Sequence, residues 1–299
     1  MKETELKQKG VLFAFLTAII SGIAIFYNKM VVSSGIDPLV FNIVKNGGSG
    51  LILTLLIFRK GLEFPQVNKK MWVKLFLIGL IGGSIPFILY FEGLRGVAAI
   101  NANIIHKTMF IWVALLAIPF LKEKMSLLQI FGFLMVIYSN FFIGGVTEFK
   151  FTFSEGMILA ATLLWSIENI VAKKFLKTLD SSLAAWGRMF FGTVILITTA
   201  ILTDKLKLLS SLNPNQILPV SGSILLLTLY VHSWYKALKL APATTVTAIL
   251  VLATPVTNIL TAVFITHQFR QLLTINTATI LTGVLLISFG FKWRKIPTA

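Results

Sequence analysis

The chain has 299 residues, of which 56% are hydrophobic and 13% charged, and its mean hydropathy is +0.87. Soluble globular chains carry about 25% charged residues, so this composition excludes water as the main solvent. The formal charge of +16 does not indicate nucleic acid as a partner, because the basic residues lie in short segments between apolar runs, as in the loops of membrane proteins. Since no cysteine is present, disulfides, thiol catalysis and cysteine-ligated metals are excluded.

Ten apolar runs follow one another along the chain, and each is long enough for a helix that crosses the hydrocarbon core. They lie near residues 10–32, 38–58, 72–91, 98–120, 126–144, 152–172, 182–203, 215–235, 243–266 and 272–291. Prolines and other turn-forming residues separate several of them, as at Pro38 and Pro242. The first run lacks a small-residue cleavage site, so we expect a retained span and no removed signal peptide. The sequence therefore predicts an all-α, polytopic membrane protein with the lipid bilayer around it.

The distribution of basic residues predicts the orientation of these spans. With the N-terminus in the cytoplasm, 18 of the 27 Lys and Arg residues fall in cytoplasmic segments, six fall on the opposite side and three inside spans. Cytoplasmic loops are enriched in Lys and Arg, and a missed span would destroy the alternation. We therefore expect a multi-pass protein of the cell membrane, either the plasma membrane or a bacterial inner membrane, with both termini in the cytoplasm.

The two halves of the sequence resemble each other. Phe91 and Leu94, before the fourth run, align with Tyr235 and Leu238, before the ninth, at an offset of 144 residues. Because each half contains five spans, an odd number, the halves enter the membrane in opposite senses. We therefore predict ten transmembrane helices arranged as two inverted five-helix repeats, over residues 1–148 and 149–299. Such repeats are typical of transporters that bind substrate near the midplane and alternate access between the two sides.

The five-plus-five plan and several residues at repeated positions make the chain similar to the EamA-type branch of the drug/metabolite transporter superfamily. The resemblance covers nearly the whole chain. It rests on a basic residue that ends the first span of each half (Lys29, and Lys173 or Lys174) and on another early in the second span (Lys45 and Arg188). It also rests on the aromatic-x-x-Leu box that begins at Phe91 and Tyr235, on Pro255 in the ninth span, and on a motif after the fourth span: Phe120, Leu121, Glu123, Gln129 and Gly132. The second half departs from the pattern, with His267 at the position that corresponds to Glu123. The resemblance implies a transporter of small organic metabolites.

The fourth span contains the deepest ionisable residue. Lys107 lies about nine residues into the span, and it shares a helical stripe with Asn103, while His106 borders the stripe and Asn101 lies further round. An ionisable side chain at this depth costs about 2.5–3.5 kcal/mol to insert, so it usually faces a partner or a pathway. Lys107 either binds an anionic group of the substrate, or it pairs with a buried carboxylate or snorkels to the membrane interface.

Three further ionisable residues lie within spans. Lys45 and Arg188 occupy equivalent positions of the two halves. Each either takes part in gating or snorkels to the membrane interface. Glu168 lies about one turn from Lys173 and Lys174, so it is either a proton-coupling group or part of a surface salt bridge. Three intramembrane cations against one acid favour a substrate with a carboxylate or phosphate, and a zwitterion such as an amino acid also fits.

Hydroxyl and aromatic residues complete the candidate site. Thr247 and Thr254 lie in the ninth span, where hydroxyl side chains serve helix packing or line a cavity, and Pro255 removes a backbone hydrogen bond. Trp165 either stacks on substrate or anchors the helix at the interface.

We therefore expect a secondary transporter that exports or exchanges small organic metabolites, with no cofactor, no metal and no nucleic-acid partner. No phosphate-binding loop of an ATPase and no zinc or serine-hydrolase motif occurs in the sequence, which disfavours a pump and an intramembrane enzyme. An intramembrane enzyme and a passive channel or membrane scaffold are the alternatives. The oligomeric state is open between monomer and homodimer.

Overall fold

The computed structural model describes residues 3–59, 61, 68–94, 96–97, 99–143, 151–268 and 271–292, and in these ranges the chain is helical without any strand. The predicted all-α class is confirmed. The helices of the first half are α1 (Glu3–Val32), α2 (Pro38–Arg59), α3 (Lys69–Leu94), α4a (Ala99–Lys107), α4b (Met109–Leu121) and α5 (Leu127–Tyr138). Those of the second half are α6 (Phe153–Phe175), α7 (Ser181–Leu202), α8 (Pro214–Leu240), α9a (Ala243–Leu250), α9b (Ala253–Thr261) and α10 (Gln271–Lys292).

Polar side chains cap the beginnings of several helices. The carboxylate of Asp37 accepts hydrogen bonds from the amides of Leu39 and Val40, at 2.8 and 3.3 Å, and Asp180 accepts one from the amide of Ser182 at 2.7 Å. These contacts satisfy amides that have no partner within the helix. The second span of each half therefore begins in the same way, at the positions where the turn residues ended the apolar runs.

The surface of the molecule is apolar, as expected of helices in contact with lipid. Large exposed hydrophobic side chains project from many of the helices, with Leu51 69%, Phe131 62% and Leu218 80% exposed. Eight helical segments are long and apolar enough to cross a membrane, and two further apolar stretches, Leu127–Phe141 and Thr274–Gly290, are shorter. The chain is a multi-pass membrane protein. Eight of the predicted spans are thus supported by length and composition, and the count of ten stays a prediction.

Small residues let helices approach closely at two places. A Cβ on Gly83 of α3 would lie 2.1 Å from the carbonyl oxygen of Arg188 in α7, and one on Gly132 of α5 would lie 2.5 Å from the carbonyl oxygen of Gly283 in α10. No other side chain fits there without moving one backbone from the other. The first contact falls in a π-helical stretch of α3, Gly79–Ser84.

Contacts between the first five spans and the last five occur in matched pairs. The first span, α1, packs on α8 and α9, and α6 packs on α3 and α4 in the corresponding way. Helix α2 packs on α7, α5 on α10 and α4b on α9a, so that equivalent helices meet. We call the side where α1 begins and α4, α6 and α8 end the N-terminal face, and the other side, with Asp37, Glu92 and Lys205, the opposite face.

Candidate functional site

The fourth span is interrupted at Thr108, between α4a and α4b. The amide of Thr108 donates to the carbonyl of Ile105 at 3.0 Å, and that of Ile111 donates to the carbonyl of Thr108 at 2.8 Å, so the turn is tighter than an α-helix. The Thr108 hydroxyl also donates to Ile105 at 2.7 Å and accepts from Nε1 of Trp112 at 2.9 Å. A hydroxyl that competes for backbone groups disturbs the helix here without any proline.

The ninth span is interrupted at the corresponding place. Val251 and Leu252 separate α9a from α9b, and their amides bond to carbonyls three residues back, at 3.2 and 3.0 Å. Pro255 lies four residues after Val251, where its missing amide and its ring disrupt the hydrogen-bond ladder. Leu252 lies 144 residues after Thr108, so both breaks fall at the same position of the repeat although only one has a proline.

Lys107 ends α4a directly before the break. Its side chain is half-buried, and no carboxylate of the described residues lies within salt-bridge distance of its ammonium group. His106, beside it, is also half-buried, and its Nδ1 has no hydrogen-bond partner among the described residues. Asn101 is 7% exposed, and the side chain of Asn103 lies outside the described part of the chain. The structure thus places a cation and a free imidazole nitrogen together in the broken helix.

Aromatic rings surround His106 and link it to α3 and α6. The His106 ring centroid lies 4.9 Å from that of Trp165 and 5.4 Å from that of Tyr90, and Phe87 lies 5.3 Å from Trp165. We call Phe87, Tyr90, His106 and Trp165 the aromatic cluster. Trp165 is 7% exposed, and its Nε1 donates to the carbonyl of Gly82 at 3.1 Å, so it is an interior residue and the interfacial-anchor alternative is wrong.

A cavity of about 510 Å³ reaches the aromatic cluster from the opposite face. It lies between the ends of α1, α3 and α7 and the beginning of α2, and Asn42, Phe87 and Leu196 form its deep end. Its lining includes the ion pair of Glu92 with Lys205, whose oxygen and nitrogen lie 3.7 Å apart. Because Phe87 lines the cavity and also contacts Trp165, a molecule in the cavity touches the aromatic cluster at Phe87 and is separated from Trp165 by that one side chain.

Lys45 lies one helical turn below Asn42 in α2. It is only 6% exposed, and its ammonium group lies 4.6 Å from the ring centroid of Phe41 and 5.7 Å from that of Phe87. Cation–π contacts of this length stabilise a desolvated ammonium group by about 2 kcal/mol. The interfacial-snorkelling alternative is wrong for Lys45, because the side chain points into the protein.

Glu168, Arg188 and Tyr235 form a buried polar cluster between α6, α7 and α8. Glu168 is completely buried, its Oε2 lies 3.5 Å from Nη1 of Arg188, and its Oε1 accepts a hydrogen bond from the Tyr235 hydroxyl at 2.5 Å. Arg188 is 6% exposed. The structure brings the predicted coupling residues Glu168 and Arg188 together, and a surface salt bridge of Glu168 with Lys173 or Lys174 is wrong, because Glu168 points into the bundle.

The π-helical stretch of α3 provides the space for this cluster. A Cβ on Gly82 would lie 2.8 Å from Cγ of Glu168, and the carbonyl of Gly83 accepts a hydrogen bond from Nδ2 of Asn46 at 3.2 Å. Sequence reasoning missed Asn46, Tyr90 and the polar contact of Tyr235. Glycines within a membrane helix indicate close approach of a neighbouring helix, but they do not indicate a polar partner.

The threonines of the ninth span differ from Lys107 in their surroundings. Thr247 is 1% exposed, and its hydroxyl donates to the carbonyl of Ala243 at 2.9 Å, within its own helix. Thr254 is half-buried and directly follows the break. The hydroxyl of Thr247 is therefore occupied by the backbone, as in the helix-packing alternative.

Known proteins resemble this chain throughout its length. The profile of the EamA-like transporter family matches residues 8–145 and again residues 152–289. An uncharacterized transporter of Archaeoglobus fulgidus is 23% identical over 233 residues, covering 75% of this chain and 76% of the relative. The uncharacterized transporter YyaM of Bacillus subtilis is 24% identical over 165 residues, and the match spans 52% of this chain and about half, 53%, of that relative.

A solved structure shares the fold. One protein crystal structure superposes with a TM-score of 0.78 over 94% of this chain and 97% of the other, at 14% sequence identity, which is a likeness of fold alone. The double match of the family profile covers both halves of the chain described above. With its lipid-facing surface and its paired, broken spans, the chain belongs to the EamA-like transporter family.

Proposed function

We propose that this protein is a secondary transporter that exports or exchanges small organic metabolites with a carboxylate, amino acids among them. The observation behind this proposal is Lys107, a cation within a broken membrane helix that has no described carboxylate as partner. A charge at this depth is costly unless a counter-ion offsets it, and a substrate carboxylate is such a counter-ion. The substrate completes a pair that the protein leaves open.

The substrate site in this proposal lies beside the break in α4. Lys107 binds the carboxylate, His106 Nδ1 accepts a hydrogen bond from the substrate, and Trp165 provides an apolar wall. Asn101 and Asn103 lie one to two turns before Lys107, and Thr254 is at the facing break of α9. The three described side chains fit a molecule with an anionic end and an apolar body.

Alternating access is the transport mechanism that we propose. Ten spans in two inverted repeats, residues 1–148 and 149–299, give each half the same internal geometry in opposite orientations. This proposal is supported by the matched helix contacts and by the breaks 144 residues apart. Rocking of one half against the other then exposes the site to one side at a time, without ATP.

Glu168 and Arg188 serve as the coupling pair in this scheme. Protonation of Glu168 would neutralise its charge and release Arg188, so a proton gradient can bias the packing of α6 against α7. Lys45, beside the cavity, is the gating cation at the opposite face.

We place both termini in the cytoplasm of a cell-membrane protein because the N-terminal face collects the larger share of Lys and Arg. Both a monomer and a homodimer are compatible with this scheme.

Counterflow in proteoliposomes tests the transporter proposal. Vesicles preloaded with an unlabelled amino acid or organic acid, chosen by a thermal-shift screen that also includes nucleosides and sugars, should accumulate the labelled compound transiently. A channel would instead show conductance that is linear in voltage, and a scaffold or an enzyme would show no flux. Either of these results would rule out a carrier.

A further inference from the structure

Glu123 binds the first turn of α9 at the N-terminal face. Its Oε1 accepts the amide of Ala243 at 2.7 Å, and its Oε2 accepts the amide and the hydroxyl of Thr244, at 3.0 and 2.8 Å. Glu123 follows α4b, so a carboxylate from the first half of the chain caps a helix of the second half. The positive end of the α9a dipole strengthens this contact.

Lys173 binds the end of α8, next to the same point. Its ammonium group donates to the carbonyl of Leu238 at 2.5 Å and to that of Ala241 at 2.6 Å. Carbonyls in the last turn of a helix lack partners within the helix, and a cation satisfies them and the negative end of the dipole. Lys174, the next residue, is exposed and lies over the ring of Phe120 at 5.4 Å, away from this contact.

These two charged side chains hold the short α8–α9 connection, residues 241–242, from both sides. A Cβ on Gly10 of α1 would lie 2.8 Å from Cβ of Ala241, so α1 also packs directly on this connection. Gln129 of α5 adds a hydrogen bond of 3.4 Å to the hydroxyl of Thr245. Four helices besides α8 and α9 therefore meet at this connection: α1, α4, α5 and α6.

Among the residues that the structure describes at the opposite face, the equivalent side chains make no such contact. His267 occupies the repeat position of Glu123, and Lys29 that of Lys173, and both side chains are exposed. The opposite face instead contains the cavity that reaches the aromatic cluster. In an inverted repeat, a contact that is made at one face and absent at the other marks which side is closed.

We propose that Glu123 and Lys173 are the gate residues of the N-terminal face, and that they release the α8–α9 connection when this face opens to substrate. The structure is then the state accessible from the opposite face. This inference rests on alternating access, the mechanism of the proposed function. Weakening the gate should shift the population toward the state that is open at the N-terminal face, and should close the opposite face to the same extent.

The absence of native cysteines allows a direct test with single-cysteine reporters. Thr245→Cys reports on the N-terminal face, since Thr245 is completely buried behind the gate, and Thr199→Cys reports on the cavity that it lines. Each reporter is reacted with a membrane-impermeant maleimide, added to one side of vesicles of known orientation. No substrate is needed, so the result does not depend on finding one.

Glu123→Gln and Lys173→Met should each raise the labelling rate at position 245 by about fivefold for each kilocalorie removed from the closed state. The rate at position 199 should fall clearly in the double variant, in which the state open at the opposite face is no longer the majority. Glu123→Asp should preserve part of the wild-type pattern, and Lys174→Met should change neither rate. Faster labelling at 245 in the double variant with a wild-type rate at 199 would show local loosening and overturn the gate, as would no change at either position in any of these variants. If counterflow of carboxylates fails while this reciprocity holds, the proposed substrate class is wrong and the gate stands.

Discussion

Two cations within membrane helices, the half-buried Lys107 in the first half and the buried Arg188 in the second, differ in what surrounds them. Arg188 faces Glu168 at 3.5 Å, and the Tyr235 hydroxyl binds the same carboxylate. Lys107 lies at a helix break beside His106, with no carboxylate of the described residues in reach. A buried pair is complete within the protein, whereas a buried cation without a pair needs a counter-ion from outside. From this difference we propose Arg188 for structure and coupling, and Lys107 for the substrate.

The largest effect is expected for substitution of Lys107, the cation without a carboxylate partner among the described residues. Lys107→Ala should lower transport at low substrate concentration by about 100-fold, because loss of one partner of a buried charge contact costs roughly 2–5 kcal/mol. Protein yield and thermal stability in detergent should stay close to those of the wild type. The matched control is Val251→Ala, at the repeat position of Lys107 in α9. It should transport normally, and equal losses in both variants would contradict the comparison.

Arg188→Ala should act mainly on stability. It leaves Glu168 buried without its cation, which costs about 3–5 kcal/mol and should lower the thermal unfolding temperature in detergent strongly. Adding Glu168→Gln to this variant removes the unpaired charge and should recover part of the loss. An Arg188→Ala protein as stable as the wild type would mean that the pair does not hold α6 and α7 together.

Glu168→Gln alone should have a smaller and more selective effect. The amide keeps the shape of the carboxyl, its oxygen can still accept a hydrogen bond from Arg188, and its NH2 group can donate one to the Tyr235 hydroxyl, but it cannot gain or lose a proton. Substrate exchange at equal pH should continue, while the stimulation of net transport by a pH gradient should disappear. Stimulation equal to that of the wild type would exclude Glu168 as the coupling residue.

The smallest effect is expected at Thr247, the repeat counterpart of Asn103. Thr247→Val removes a hydroxyl that bonds only within its own helix, and it preserves the branched shape of the side chain. Counterflow kinetics should remain those of the wild type, since helix packing is kept. A raised KM with unchanged protein stability would place this hydroxyl in the substrate site and weaken the contrast between α4 and α9.

The sequence was sufficient for the approximate positions of the eight helical segments that are long and apolar enough to cross a membrane, because span length and hydropathy are local properties. Pro255 indicated a disturbed ninth span, but the equivalent break at Thr108 has no proline and depends on hydroxyl contacts that a hydropathy pattern does not contain. Glu168 and Arg188 were recognisable as intramembrane ions. Their pairing was not, because it depends on α6 and α7 both packing on the glycine-rich stretch of α3.

The contact of Glu123 with α9 could not be predicted from the sequence either. Its position in a family motif indicated importance, but its partners are backbone amides 120 residues further along the chain. Every residue type has the same backbone groups, so a contact with them cannot be predicted from residue types. Only the folded structure shows that Glu123, after α4, contacts the beginning of α9. The same holds for Lys173, whose partners are carbonyls of the α8 terminus.

The most direct test of the role of Lys107 is counterflow of one organic acid and of its methyl ester, in wild-type and Lys107→Ala proteoliposomes. The account predicts that wild type transports the acid and discriminates against the ester, and that Lys107→Ala loses the acid and with it the discrimination. Equal transport of acid and ester by the wild type, or discrimination that survives in Lys107→Ala, would contradict the assignment of Lys107 to the substrate carboxylate.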